Sequence, residues 1–177
     1  ILQQNFDIDI NWHADDLHDF LMTKNDQIIY NTIKQILLKK TRTKEQNNIS
    51  IPKKQYAPKI YTEDRLIDSH FLKKHKIKKV YDFIRGMSPP GVKTTIIIEN
   101  KLEKVSKKII ITRVGNYQKH VNKQPIDTEL IIEKNQHIKV YNNTGSFHIQ
   151  KLKVESGKEY LSKDFINGFL KKDFVRI

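Results

Sequence analysis

The segment Val80–Ile98 constrains the fold of this chain more than any other part of its sequence. Its first residues are hydrophobic at helical spacing, its centre is Ser88-Pro89-Pro90-Gly91, and its last residues are mostly Thr and Ile. Proline lacks a backbone N–H and its ring clashes with the preceding helical turn, so no helix continues through this centre. The sequence therefore predicts an α-rich part before the prolines, a β-rich part after them, and a stiff junction between the two.

Hydrophobic periodicity predicts helices in the part before the prolines. Two neighbouring runs repeat at a spacing of three and four residues, and the polar stretch Lys24-Asn25-Asp26 separates them. A third run forms the buried stripe of the last helix and consists of Val80, Phe83, Ile84 and Met87. The predicted helices cover residues 15–23, 26–39 and 75–87.

Polar residues mark the expected helix boundaries. Asp15 and Asp16 stand at the predicted start of the first helix, where acidic groups interact favourably with the helix dipole. Asp68 or Ser69 is available as a cap for the helical region that follows. Residues 39–50 have almost no apolar content and no periodicity, which predicts a loop.

The part after the prolines contains short runs rich in Ile, Val and Thr, separated by turn signals such as Asn142-Asn143-Thr144-Gly145. Several short strands in succession favour a small barrel or a strongly curled sheet. A last short helix is predicted to start at Ser162 as its N-cap and to stop at Gly168. The predicted strands are Thr94–Glu99, Lys107–Arg113, Thr128–Ile132, His137–Tyr141 and Phe147–Val154.

The charge of the chain is strongly positive and unevenly distributed. The net charge is +13, yet residues 1–30 hold one lysine and six aspartates, a balance of −5, so the remainder carries +18. This polarity predicts a polyanionic partner for the part beyond residue 30. The alternative is compositional, because usage rich in Lys, Asn and Ile is also what an AT-rich genome produces.

Several classes of chemistry lack support in the sequence. The absence of cysteine excludes disulfides and thiolate catalysis and favours a reducing, cytoplasmic location. No apolar run approaches the roughly 18 residues of a membrane span, so no membrane partner is expected. No HExxH, GxSxG or phosphate-binding glycine loop occurs. His13 and His18 lie near three aspartates, but capping and solvation explain those acids better than a metal site does.

Basic residues remain as the candidate functional groups. Phosphates neutralised by lysine and arginine release counterions, which makes such binding strong and dependent on salt. The alternative is that most of these residues lie on solvated faces. The candidate nucleic-acid contacts are Lys73, Lys74, Lys76, Lys78, Lys79, Arg85, Lys107, Lys108 and Arg113.

Four stretches, in order along nearly the whole chain, together resemble the methionyl-tRNA formyltransferase family. The first resembles the strand and helix that follow the family's active-site aspartate, and the second resembles the segment that closes its formyltransferase domain. The third resembles its helix ending in "IRALxPxPGA", and the fourth its C-terminal "LQPxGKKxMxxxxFxNG" pattern. They are "ILQQNFDIDINWHADDLHDFL" (Ile1–Leu21), "QYAPKIYTEDRLID" (Gln55–Asp68), "VYDFIRGMSPPG" (Val80–Gly91) and "LKVESGKEYLSKDFINGF" (Leu152–Phe169).

The resemblance implies an α+β chain. Residues 1–40 would be the end of a Rossmann-like α/β formyltransferase domain, 41–90 a linker and bridging helix, and 91–177 an OB-like barrel with a terminal helix. The family transfers a formyl group from 10-formyltetrahydrofolate to methionyl initiator tRNA. Its catalytic Asn, His and Asp lie upstream of the matching region, so we expect a fragment with no catalytic residue, no metal, no bound cofactor and no activity alone.

The resemblance also implies partners. We expect initiator tRNA and a missing N-terminal catalytic domain to bind this region, and we expect a monomer. The family usually has an aromatic residue before its Pro-Gly, whereas this chain has Pro89 there. A sugar-nucleotide N-formyltransferase and a non-enzymatic RNA-binding module therefore remain as alternatives.

Overall fold

The computed structural model describes residues 4–41, 58–99, 104–120, 129–133, 137–155, 157–169 and 174–176. Helices dominate before the two prolines and strands after them, as predicted. The helices are α1 (Ala14–Leu37), α2 (Ser69–Lys74), α3 (Ile77–Gly86) and α4 (Ser162–Phe169), with a 3₁₀ turn at Glu63–Arg65. The strands are β1 (Val92–Glu99), β2 (Lys104–Lys119), β3 (Glu129–Ile132), β4 (Ile138–Asn142), β5 (Gly145–Val154), β6 (Glu159–Leu161) and β7 (Phe174–Arg176).

Helix α1 is continuous over 24 residues, so the predicted break at Lys24-Asn25-Asp26 is wrong. Asn and Asp are only moderately unfavourable inside a helix, and no Gly or Pro is present to stop it. The predicted helix start is confirmed, because Asp15 and Asp16 lie in the first turn. The Asp16 carboxylate also accepts a hydrogen bond from the His13 N–H at 2.9 Å, which satisfies one of the free donors of this terminus.

The helix predicted over residues 75–87 is confirmed as α3, with slightly shifted ends, and the short helix α2 before it was not predicted as a separate element. Asp68 caps α2 by accepting from the Phe71 N–H at 2.7 Å, which confirms one of the two expected caps. The N-terminus of α3 is capped from the sheet, because the Ile77 N–H donates to Thr144 Oγ1 at 2.9 Å. Thr144 lies in the tight turn between β4 and β5, where the sequence predicted a turn.

The predicted halt of the helix is confirmed. Helix α3 ends at Gly86, and the Gly91 N–H then donates to the Met87 carbonyl at 2.9 Å before β1 begins. Arg65 also donates to the Gly91 carbonyl at 3.0 Å, so the preceding linker is tied to this junction. The junction therefore has a defined conformation held from both sides.

The strands form one antiparallel sheet with the order β3-β4-β5-β2-β1-β7, and β6 pairs with β5. The five predicted strands are confirmed within the described residues, outside which Thr128 lies, whereas the short strands β6 and β7 were not predicted. Strands β3 and β7, at the two ends of this order, come into contact, which shows that the sheet curls strongly. The α+β class is confirmed, and the OB-like barrel and the domain limits stay predictions.

The hydrophobic core lies between α3 and the concave side of the sheet. Val80 and Ile84 of the predicted stripe are buried, together with Tyr81 and several apolar residues of β1, β2 and β5. Phe165 of α4 completes this core. In contrast, α1 buries none of its residues. Within the described residues, no helix is both long and apolar enough to cross a membrane.

The terminal helix α4 is confirmed, but the role predicted for Ser162 is wrong. Ser162 is the first residue of the helix rather than the residue before it, and its buried hydroxyl donates to the Ile149 carbonyl. The side chain therefore ties α4 to β5 and does not cap the helix.

Gly91 provides a test of the junction, because it has φ = +102°, a conformation that residues with a side chain rarely adopt. A Cβ atom added there would lie 2.6 Å from the Ile111 carbonyl oxygen. We expect Gly91→Ala to lower the free energy of unfolding by about 2 kcal/mol or more, measured by urea denaturation.

The matched control is Gly168→Ala. A Cβ added at Gly168 meets no atom within 4 Å, and the residue lies inside α4. This variant should be about 0.5–1 kcal/mol more stable than the parent, since Ala favours a helix. Equal effects of the two substitutions would contradict the role given to Gly91.

Candidate nucleic-acid interface

The two short helices α2 and α3 place a group of lysines on one exposed corner of the molecule. We call residues Ser69–Lys79 the basic corner. Of its five lysines, four are exposed and have no carboxylate oxygen within 4 Å among the described residues. They are Lys73, Lys74, Lys76 and Lys79. The corner contains no Asp or Glu, so these charges are uncompensated within it.

The backbone of the basic corner is anchored beneath these lysines. Leu72 and Ile77 are buried in the core, and Ile77 is also held by Thr144. Just ahead of the corner, the Ile67 N–H donates to the carbonyl of Lys93 on β1 at 2.9 Å. The exposed lysine side chains therefore project from a backbone that is held in place.

The exposed lysines of the basic corner lie at the end of α2 and at the start of α3. Lys73 and Lys74 lie in the last turn of α2, where positive charge is favourable. Lys76 and Lys79 lie at the start of α3, where positive charge opposes the helix dipole. Positive charge therefore opposes a helix dipole only at the start of α3.

Lys78 is directed away from this group by an ion pair. Its Nζ lies 2.5 and 2.6 Å from the two carboxylate oxygens of Asp82, one helical turn further on. The spacing of four residues is typical of such pairs and could have been found in the sequence. Lys78 is therefore less available than its neighbours to a ligand.

Arg85 has a structural position. It is buried, and its guanidinium donates to the Trp12 carbonyl at 2.7 Å, the Asp9 carbonyl at 2.8 Å and the Asp82 carboxylate at 2.9 Å. These bonds fasten the segment that precedes α1 to α3. Each nitrogen of the guanidinium thus donates to an acceptor of this chain, so Arg85 is bound mainly within the protein.

Arg113 on β2 also binds within the chain. Its guanidinium donates to both oxygens of Asp16 at 2.7 and 2.9 Å, and it approaches Asp15 at 3.4 Å. The Arg113 hydrogen bond holds the pKa of the Asp16 carboxyl below its usual value. The start of α1 is thus bound to the sheet.

His13 completes this attachment. Its ring is buried, its Nε2 accepts from the Val114 N–H at 3.1 Å, and its Nδ1 lies 3.2 Å from the Asn11 carbonyl. A ring that accepts at one nitrogen and donates at the other is neutral. Both nitrogens are occupied, which makes His13 unsuitable as a metal ligand in this arrangement. In the part of the chain that the structure describes, no cluster of three His, Asp or Glu side chains could hold a metal.

Lys107 and Lys108 are not part of the basic corner. They lie near the start of β2, whereas the opposite end of β2, at Lys119, pairs with Gly145 beside Ile77. Eleven residues of extended strand span up to about 35 Å. Lys108 is exposed, and the Lys107 ammonium lies 5.5 Å from the centre of the Phe169 ring.

His75 is a feature of the corner that the sequence analysis missed. Its ring packs edge-on against Phe71, with 4.5 Å between the ring centres. Desolvation lowers the pKa of His75, and the nearby charges of Lys79, Lys74 and His70 lower it further. Its position between Lys74 and Lys76 in the sequence was the available signal.

The chain belongs to the formyltransferase C-terminal domain family, whose model matches residues 59–170. It is similar to methionyl-tRNA formyltransferase of Clostridium perfringens, with 29% identity over 174 residues, which are 95% of this chain and 49% of that protein. The protein of the same name in Bacteroides thetaiotaomicron is 27% identical over 158 residues, 89% of this chain and 47% of its own length. The chain spans about half the length of these relatives.

The structural position of Arg85 can be tested with Arg85→Gln. The substitution removes the charged donor from the Trp12 and Asp9 carbonyls and from the Asp82 carboxylate, and it should lower the free energy of unfolding by about 2–4 kcal/mol. Lys79→Gln removes the same charge from an exposed site on the same helix and should change stability by less than about 0.5 kcal/mol. Chemical denaturation of both variants provides the measurement. A small effect of Arg85→Gln would contradict the structural role given to Arg85.

His13 predicts a dependence of stability on pH. Burial and the Arg113 charge lower the pKa of His13, while Asp16 and Asp15 oppose them with a smaller effect. The unfolded chain therefore binds more protons near pH 6, and stability falls as the pH drops below the ordinary histidine value of about 6.5.

His13→Gln keeps an acceptor for Val114 but does not titrate. We expect a smaller loss of stability between pH 7.5 and 5 in this variant, measured by urea denaturation at each pH. His18→Gln replaces an exposed histidine on α1 and should retain the parent's dependence. If His13→Gln and the parent lose stability equally, His13 is not the titrating group.

Proposed function

We propose that this chain is the tRNA-docking region of a methionyl-tRNA formyltransferase-like enzyme. The whole enzyme would transfer a formyl group from 10-formyltetrahydrofolate to methionyl initiator tRNA. This region would hold the tRNA, while catalysis and folate binding would belong to a separate catalytic domain. Family membership and the names of the relatives support the enzyme class.

The basic corner is the observation that carries the docking role. It presents four exposed lysines without neighbouring carboxylates on a backbone anchored to the sheet. Phosphates bound there would release counterions, which provides affinity independent of sequence. Lys108 would extend the contact along the sheet. Arg85, Arg113 and Lys78 are assigned to internal contacts instead.

Helix α1 would form the connection to the catalytic domain. Most of its large apolar residues are exposed within the described chain, and Leu37 is 76% exposed. Such a surface is typical of a helix face that packs against another domain. In this proposal residues 1–40 belong structurally to the catalytic half, and the whole enzyme is a cytoplasmic monomer. The other large apolar residues exposed on α1 and at its C-cap are Leu21, Met22, Ile29, Tyr30, Ile33, Ile36 and Leu38.

Rate acceleration by this region would come from proximity. A tRNA held at the basic corner would have its acceptor end near the catalytic domain that α1 contacts. Fixing one reactant in a productive orientation replaces a bimolecular encounter by a step within a complex.

A titration with uncharged initiator tRNA, an elongator tRNA and a nucleotide sugar at several salt concentrations tests this function. The proposal expects salt-dependent binding that prefers initiator tRNA. Equal binding of both tRNAs would instead indicate a general RNA-binding module. No tRNA binding at about 0.1 M salt, where basic sites of this kind still bind, would favour a sugar-nucleotide enzyme.

The double variant Lys76→Gln/Lys79→Gln tests the basic corner itself. Both residues lie at the start of α3, where losing positive charge does not weaken the helix, so folding should be preserved. We expect weaker tRNA binding and a slope of log affinity against log salt that is reduced by about 1.5.

Lys158→Gln/Lys163→Gln is the matched control. Both residues are exposed, and Lys163 lies in the first turn of α4, as Lys79 lies in the first turn of α3. The two double variants carry the same net charge. An equal reduction of the salt slope in both would show that only total charge matters and would remove the corner from the site.

A further inference from the structure

His75 occupies the middle of the basic corner and has no role in the docking described so far. We propose that His75 is an additional phosphate-binding group of this corner, which binds as an imidazolium, so that docking of a nucleic-acid backbone takes up a proton. The inference rests on the proposed function and adds a residue and a pH dependence to it.

The geometry holds the imidazole in place. His75 lies in the extended connector between α2 and α3, with φ = −116° and ψ = 142°. Its ring meets Phe71 edge-on, and Phe71 packs in turn against Phe83, with 5.0 Å between those ring centres. Because this stack fixes one side of the ring, the imidazole is presented at a defined point of the corner.

The charges around His75 come from both helices and have the same sign. Lys74 and His70 lie on α2, and Lys79 lies on α3. Together with desolvation, these groups lower the pKa of His75, so the free protein carries a neutral imidazole near pH 7. A cationic surface that leaves this histidine neutral is poised to protonate it when a negative group arrives.

A bound phosphate reverses this balance. Its negative charge offsets the positive charges of Lys74 and Lys79. Its oxygens accept hydrogen bonds, and the imidazolium can donate one from each ring nitrogen, whereas neutral imidazole can donate only one. The pKa of His75 therefore rises on binding, and a proton is taken up. By linkage, affinity increases as the pH falls through the range between the pKa of the free state and that of the bound state.

The first arm of the test follows the imidazole C–H signals of His75 by NMR from pH 5 to 8.5. Spectra are compared without ligand and with a saturating 12-base-pair RNA duplex, and triple-resonance spectra of the parent protein provide the assignment of His75. We expect the titration of His75 to move to higher pH in the complex. An unchanged titration would overturn the proposal, even if His75→Gln failed to fold.

The second arm measures affinity for the same duplex at pH 5.5 and 8 at constant salt. One unit of pKa displacement corresponds to a tenfold change, so the parent should bind roughly three- to tenfold more tightly at the lower pH. His75→Gln should lose most of this gain, and His18→Gln should keep it. If His75→Gln keeps the full gain, or if the duplex does not bind, the proposal is overturned.

These outcomes distinguish a failure of the His75 proposal from a failure of the proposed tRNA docking. A displaced His75 titration with no preference for initiator tRNA would remove the formyltransferase docking role and leave the proton-linked phosphate site intact. A preference for initiator tRNA with an unchanged His75 titration would support docking and eliminate His75.

Discussion

The buried guanidinium of Arg85 determines how the two ends of the α-rich part meet. A buried cation is stable only when its donors are satisfied, and here the acceptors are the carbonyls of Asp9 and Trp12 and the carboxylate of Asp82. If the segment ahead of α1 left α3, the guanidinium would lose two of its three hydrogen-bond acceptors. His13 and Asp16 follow directly in that segment, and they extend the attachment to β2.

Helix α3 transmits this constraint across the molecule. It has ten residues and is about 15 Å long, with Arg85 near its end and the basic corner at its start. The start is fixed by Thr144, and the end is fixed by Arg85 and by the junction at Gly91. The exposed lysines and the uncovered apolar side of α1 are thus connected through one short, buried helix. A ligand held at the corner and a domain packed on α1 would have a fixed relative orientation.

Local patterns predicted the parts of this fold that depend on local interactions. The stripe through Val80 and Ile84, the helix stop before Pro89 and the five longer strands follow from periodicity and from the chemistry of proline. The exact start of α3 at Ile77 was not predictable, because its cap is supplied by Thr144, 67 residues further along the chain. The same limit applied to the candidate site. Composition identified a basic region, but it did not distinguish Arg85, whose two carbonyl acceptors precede it by more than 70 residues, from an exposed lysine.

The arginines and lysines of the described chain are used differently, and the difference bears on specificity. Arg65, Arg85 and Arg113 all donate to backbone carbonyls or carboxylates of this chain, where the planar fork satisfies several fixed acceptors. The exposed corner is formed by lysines, which act as mobile point charges and suit phosphates better than base edges. A lysine surface of this kind attracts any nucleic-acid backbone. If the proposed docking selects one tRNA, the selection must come from geometry, namely from the fixed relation between the basic corner and the domain that α1 would contact.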